Sequence, residues 1–201
     1  MQKWFELAGV VPLAVFVLVH VASYAGALFG LTSFGVADRG SVLGLALGMG
    51  LIWLPLAFHA GYGLKLSTRA LEVDAAERRA SLGLRWSGAG LLVFLVGHAG
   101  WLAWPLWRGE RNAEDVYGML AAGLSSTAYG VPWLAVGHLA GLGLVALHLG
   151  LGLDRFGARW GLLRGRRSRR LARGLAVMVF VLGAASVVEL ATGSALPRFL
   201  H

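Results

Sequence analysis

Five long apolar runs govern what this chain can fold into. They lie at about 8–30, 43–66, 86–107, 131–153 and 173–193 of the 201 residues. Each is near the ~20 residues that carry an α-helix across ~30 Å of hydrocarbon. Lipid offers no partner for a backbone N–H or C=O, so runs this long predict helices rather than barrel strands. Composition agrees: 57% of residues are hydrophobic and 14% charged, against roughly half and about a quarter in ordinary soluble domains. The first run is too long for the apolar core of a signal peptide and no good cleavage site follows it, so a retained helix is expected. The fold class expected is an all-α membrane protein with five transmembrane helices, one domain over 1–201.

Basic residues then orient the spans. Of the 18 Lys+Arg, fourteen fall at Lys3 and in the stretches 65–85 and 154–173, leaving Arg39, Arg108, Arg111 and Arg198 for the opposite side. The positive-inside rule predicts a multi-pass membrane protein with the N-terminus and both basic loops in the cytoplasm and the C-terminus outside. The formal net charge of +8 is therefore read as topology signal and contact with anionic lipid, in preference to nucleic-acid binding. There is no cysteine, so this chain can hold no iron–sulfur cluster, zinc–thiolate site, disulfide or thioether-linked haem. Thirty glycines, many inside the spans, allow close helix approach and also leave room for a flat ligand. The stretch 108–130 is the longest outer loop, and whether it carries a short helix is left open.

Five of the six histidines fall within spans: His20, His59, His98, His138 and His148. Polar groups at membrane depth are costly and mark function. His20 and His98 lie about 12 residues into helices I and III, or ~18 Å up from the inner face. His59 and His148 lie about 16 and 17 residues below the outer face on the oppositely directed helices II and IV, close to the inner side. Two level pairs result, His20 with His98 above and His59 with His148 below. Helices I–IV then form a haem-binding four-helix bundle with helix V alongside. Two stacked b haems, each with two imidazole ligands, follow; ligation on both faces leaves no site for dioxygen, so they carry electrons. His138 is level with the upper pair and about 80° from His148 around its helix. It is a weaker candidate: a substitute upper ligand, a propionate partner or a neighbour of a quinone. His201 is terminal.

At this point the chain resembles the dihaem cytochrome b subunit of succinate:quinone oxidoreductases, in the type with a single five-helix anchor. The resemblance rests on GVVPLAVFVLVH with Gly9, Pro12 and His20, on LPLAFHAGYGL with Pro55, His59, Tyr62 and Gly63, on RWSGAGLLVFLVGHAGW with Arg85, Gly88 and His98, and on HLGLGL beginning at His148. It implies that helices I and III hold the outer haem iron through His20 and His98, and helices II and IV the inner one through His59 and His148. It also implies a flavoprotein subunit and an iron–sulfur subunit docked on the cytoplasmic face, the succinate-oxidising site on a partner chain, and a quinone, expected to be menaquinone, reduced near the outer surface. A higher oligomer is compatible with it. Some fumarate reductases of the family carry a glutamate two residues before the helix IV histidine. Here that residue is Ala146, which favours succinate oxidation over the reverse reaction. At the start of helix I, Trp4, Phe5 and Glu6 replace the basic and hydroxyl residues common in the family.

Beyond the ligands, Arg85, Lys65 and Arg69 are candidate donors to the inner haem propionates, or else topology charges snorkelling to the interface. Trp101, Arg108 and Glu189 are candidates for the quinone site. Glu189 either moves protons there or bonds a neighbouring helix, and the tryptophans in general fit an interfacial aromatic belt. Alternative functions are a fumarate reductase anchor, a hydrogenase- or formate dehydrogenase-type cytochrome b, and a haem-free proton transporter. The near absence of acids from the spans counts against the last.

Overall fold

The structure is a computed structural model, and it describes residues 2–29, 42–67, 75–108, 116–162 and 165–193. These form six α-helices: α1 (Gln2–Ala25), α2 (Val42–Ser67), α3 (Ala75–Trp107), α4 (Val116–Ser125), α5 (Trp133–Trp160) and α6 (Arg166–Thr192), with a 3-10 turn at Gly26–Phe29 after α1. The expected all-helical fold is observed. Several helices extend past their apolar runs, α1, α3 and α6 at the start and α5 at the end, where the flanking residues are also good helix formers, whereas α1 stops at Ala25, inside the first run. The stretch before the third run contains Ala75, Ala76, Glu77, Arg78 and Arg79, and α3 accordingly reaches 33 residues, about 50 Å. Pro12, Pro55 and Pro105 lie inside α1, α2 and α3, as spans supported by neighbouring helices tolerate.

Among the described residues four helical segments are long and apolar enough to cross a membrane: Leu7–Ala25, Arg78–Pro105, Trp133–Trp160 and Arg169–Thr192. α2 has 26 residues, and the side chains of its first part, 42–49, lie outside the described set. Large apolar side chains point outward from these helices. Val11, Val15 and Val19 form one stripe on α1, and Val93 and Leu54 are 75% and 73% exposed. In water such stripes would drive association; facing lipid they are what a span requires.

Inside, α5 packs most extensively on α6 and then on α3; α1 contacts α2 and α6, and α2 contacts α3. α6 also meets α4, which covers one end of the bundle. There Leu124 (1% exposed) packs with Ala135, Val187 and Leu190, and Tyr24, Ala121 and Leu134 close around them. The connection between α4 and α5 is a tight turn in which Ala128 and Val131 exchange backbone hydrogen bonds of 3.0 and 3.1 Å. It places Tyr129 and Gly130 at positive φ. Sequence left a short helix in 108–130 open; the structure has one because Val116–Ser125 presents Leu120 and Leu124 on a single face, both buried.

Candidate functional site

Two groups of histidines lie between the helices, with His138 buried and the others partly buried. In the first, His59 of α2 and His148 of α5 face each other, Nε2 to Nε2, at 3.5 Å, with ring planes at 86°. His148 is held from behind. Its Nδ1 lies 3.1 Å from Ser87 Oγ on α3, and Ser87 donates to the Leu84 carbonyl at 3.3 Å. With the Ser87 hydrogen on the Leu84 carbonyl, the hydroxyl oxygen is free to receive from the ring, an arrangement that puts the hydrogen of His148 on Nδ1 and the lone pair on Nε2. Small residues set the spacing. A Cβ on Gly88 would sit 3.1 Å from His148 Cε1, and one on Gly9 would sit 3.4 Å from His59 Cβ.

The second group joins α1, α3 and α5. The rings of His20 and His98 are edge-on with centroids 6.3 Å apart. His20 lies between Phe16 and Tyr24, one turn away on either side, with ring centroids at 5.0 and 4.7 Å. His98 stacks on Phe94 at 5.5 Å. Its Nδ1 is 3.0 Å from His138 Nε2, while His138 Nδ1 is 2.8 Å from the Leu134 carbonyl oxygen. A carbonyl only accepts, so in the neutral ring His138 Nδ1 donates and Nε2 accepts. His98 therefore donates from Nδ1 and keeps its lone pair on Nε2. Both nitrogens of His138 are thus engaged by protein atoms. Phe94 fits this corner because the facing residue is Gly141, where any Cβ would overlap the Phe94 ring.

Among the described residues no group of three or more His, Cys, Asp or Glu is arranged to hold a metal ion. Pairs of imidazoles are instead what a macrocycle-held iron asks of a protein, since it needs only axial donors. Two imidazole nitrogens that approach each other to 3.5 Å from different helices are the donor set that could hold such an iron between them. Tyr62, one turn after His59, has a buried hydroxyl with no hydrogen-bond partner among the described residues. A buried orphan donor beside a histidine pair suits the acid groups of a bound haem. The residues present fit the group.

The remaining candidates are dispersed. Arg85 is half-buried on α3 and Lys65 is exposed at the end of α2; Arg69 and His201 lie outside the described residues. Trp101 is partly buried against α4, where a Cβ on Gly123 would come within 2.6 Å of its ring. Arg108 stands over the Trp104 ring at 5.9 Å from its centroid. Glu189 is half-buried near the end of α6, and its carbonyl accepts the Gly193 N–H at 2.8 Å. Sequence reasoning missed Ser87. A serine eleven residues before His98 lies three turns back on nearly the same face of the helix, and that spacing was the available signal.

No family model matches the chain, and no solved structure matches it. Among curated proteins it is similar to the succinate dehydrogenase cytochrome b558 subunit of Bacillus subtilis (strain 168), with 25% identity over 191 residues, covering 90% of this chain and 89% of the relative.

Proposed function

We propose that this chain is the cytochrome b membrane anchor of a succinate dehydrogenase, crossing a bacterial cytoplasmic membrane five times through α1, α2, α3, α5 and α6. One observation carries the reading: His59 and His148, 89 residues apart in sequence, meet Nε2 to Nε2 at 3.5 Å. The similarity to a cytochrome b558 subunit along nearly the whole chain supports it. In this reading His59 and His148 hold one b haem on the inner side, and His20 and His98 hold a second on the outer side. When bound, two bis-imidazole b haems supply one-electron transfer between an iron–sulfur partner and quinone, with no open position for dioxygen.

The chain's own residues do the rest. The histidines enter from different helices, so ligand binding ties α2 to α5 and α1 to α3. Tyr62 and Arg85, with Lys65 and Arg69, donate to the inner propionates. Trp101, Arg108 and Glu189 serve the quinone end, where menaquinone is the expected substrate and Glu189 the carboxylate able to exchange protons. The flavoprotein and iron–sulfur subunits dock against the basic inner loops, which also meet anionic lipid. Ala146 leaves no carboxylate two residues before His148, in keeping with the succinate-oxidising direction.

A pyridine haemochrome assay with a reduced-minus-oxidised spectrum, on the purified chain and on His59→Ala and His98→Ala, tests this. The expected result is two b haems per chain, with each variant losing a different one. A folded protein without haem would overturn the reading and return the histidines to proton relay or packing.

A further inference from the structure

The two histidine groups share a construction between α3 and α5 that the ligand assignment does not require. On α5, His148 Nδ1 lies 3.1 Å from the Ser87 hydroxyl of α3. On α3, His98 gives its Nδ1–H to His138 of α5, 3.0 Å away. The arrangement is reciprocal: each helix contributes one imidazole with a bare Nε2 and one acceptor for the other helix's imidazole. Both acceptors are themselves anchored on a backbone carbonyl of their own helix, Ser87 on Leu84 and His138 on Leu134. Both are buried, Ser87 at 2% and His138 at 9% exposure. A buried serine and a buried histidine in apolar spans are expensive unless their hydrogen bonds are needed.

We propose that Ser87 and His138 are positioning residues, one for each histidine pair, that lock His148 and His98 in the Nδ1–H form and so aim their Nε2 lone pairs at His59 and His20. The proposal rests on the haem reading for its consequence, but its hydrogen bonds concern the protein alone. An acceptor on the far nitrogen of a ligating imidazole fixes the ring's tautomer and orientation and raises its basicity. A more basic imidazole favours the more highly charged iron, so each acceptor holds its site's midpoint potential down. His138, an imidazole nitrogen whose own N–H is polarised by Leu134, is a stronger acceptor than the Ser87 hydroxyl. Its loss should therefore give the larger shift.

The test uses the full chain in its membrane, with the two b haems resolved by potentiometric titration. Ser87→Ala should keep both haems and raise the midpoint potential of the His59–His148 site alone. His138→Phe, similar in shape but without an acceptor, should keep both haems and raise that of the His20–His98 site alone, and by more. Ser87→Cys, close in volume with a weaker acceptor, should fall between serine and alanine. His138→Gln, whose amide oxygen can accept, should return most of the shift. His138→Leu replaces the phenylalanine variant if that one fails to accumulate. Two haems with unmoved potentials in Ser87→Ala and His138→Phe would overturn the proposal. So would loss of one haem in both His138→Phe and His138→Gln, because His138 would then be an iron ligand. Absence of haem from the unsubstituted chain would strike the functional reading instead. Ring nitrogen-15 shifts of the histidine-labelled chain then decide the inference, with His98 and His148 expected as Nδ1–H tautomers and a return of His148 to a mixture in Ser87→Ala. Unsubstituted rings already in a mixture would overturn it.

Discussion

The two histidine sites are built from opposite materials. Around His59 and His148 the near neighbours are Gly9, Ser87 and Gly88, so the imidazoles are placed by helices drawn close together. Around His20 and His98 the neighbours are Phe16, Tyr24, Phe94 and a third histidine, so the imidazoles are wedged by rings. The second site also adjoins the buried end of the bundle, because Tyr24 touches both His20 and the cluster containing Leu124 and Val187. One kind of side chain can thus be oriented in two ways, by removing volume or by filling it, and the two should fail differently.

The largest expected contrast is removal of a histidine from either pair. On the proposed dihaem reading, His59→Ala and His98→Ala should each abolish a different b haem, and an identical residual spectrum from both would erase the distinction between the sites. Next comes Leu124→Ala, which empties a position 1% exposed and should cost about 2–5 kcal/mol. Thermal unfolding should show that loss, with α4 loosened and the His20–His98 spectrum altered before the other; equal damage to both sites would contradict the wedge description. Gly141→Ala should cost about 1–3 kcal/mol through overpacking against Phe94. It should broaden or shift the His20–His98 component and leave the His59–His148 component as it was. The smallest effect is expected from Gly88→Ala, whose Cβ would meet His148 Cε1 at 3.1 Å. About 1 kcal/mol or less, with a small displacement of the His59–His148 component alone, is the outcome; no change by either measure would show that close approach is not what sets that site.

Hydropathy made the helices legible because solvent chooses them. A run such as LLVFLVGHAGWLAWPLW (91–107) has no other way to satisfy its backbone in lipid. Helix ends were less legible, since residues such as Ala75, Ala76 and Arg78 continue a helix for reasons of propensity that hydropathy does not report. The short α4 is not legible in the sequence because ten residues carry too little periodic signal; it is held by burying Leu120 and Leu124 against its neighbours. Histidine depth could be counted along each helix at 1.5 Å per residue. Rotation about the helix axis and the choice of neighbour could not.

By itself, then, the sequence determined an all-helical chain with apolar stripes, histidines at membrane depth and no cysteine chemistry. Each of these depends only on local composition and the rise of a helix. Tertiary structure alone decided that His148 finds Ser87, that His98 finds His138, that Phe94 lies over Gly141 and that α6 packs against α1, α4 and α5. Those contacts depend on interhelical distance and azimuth. They emerge only when glycines and aromatic rings on different helices are fitted against one another.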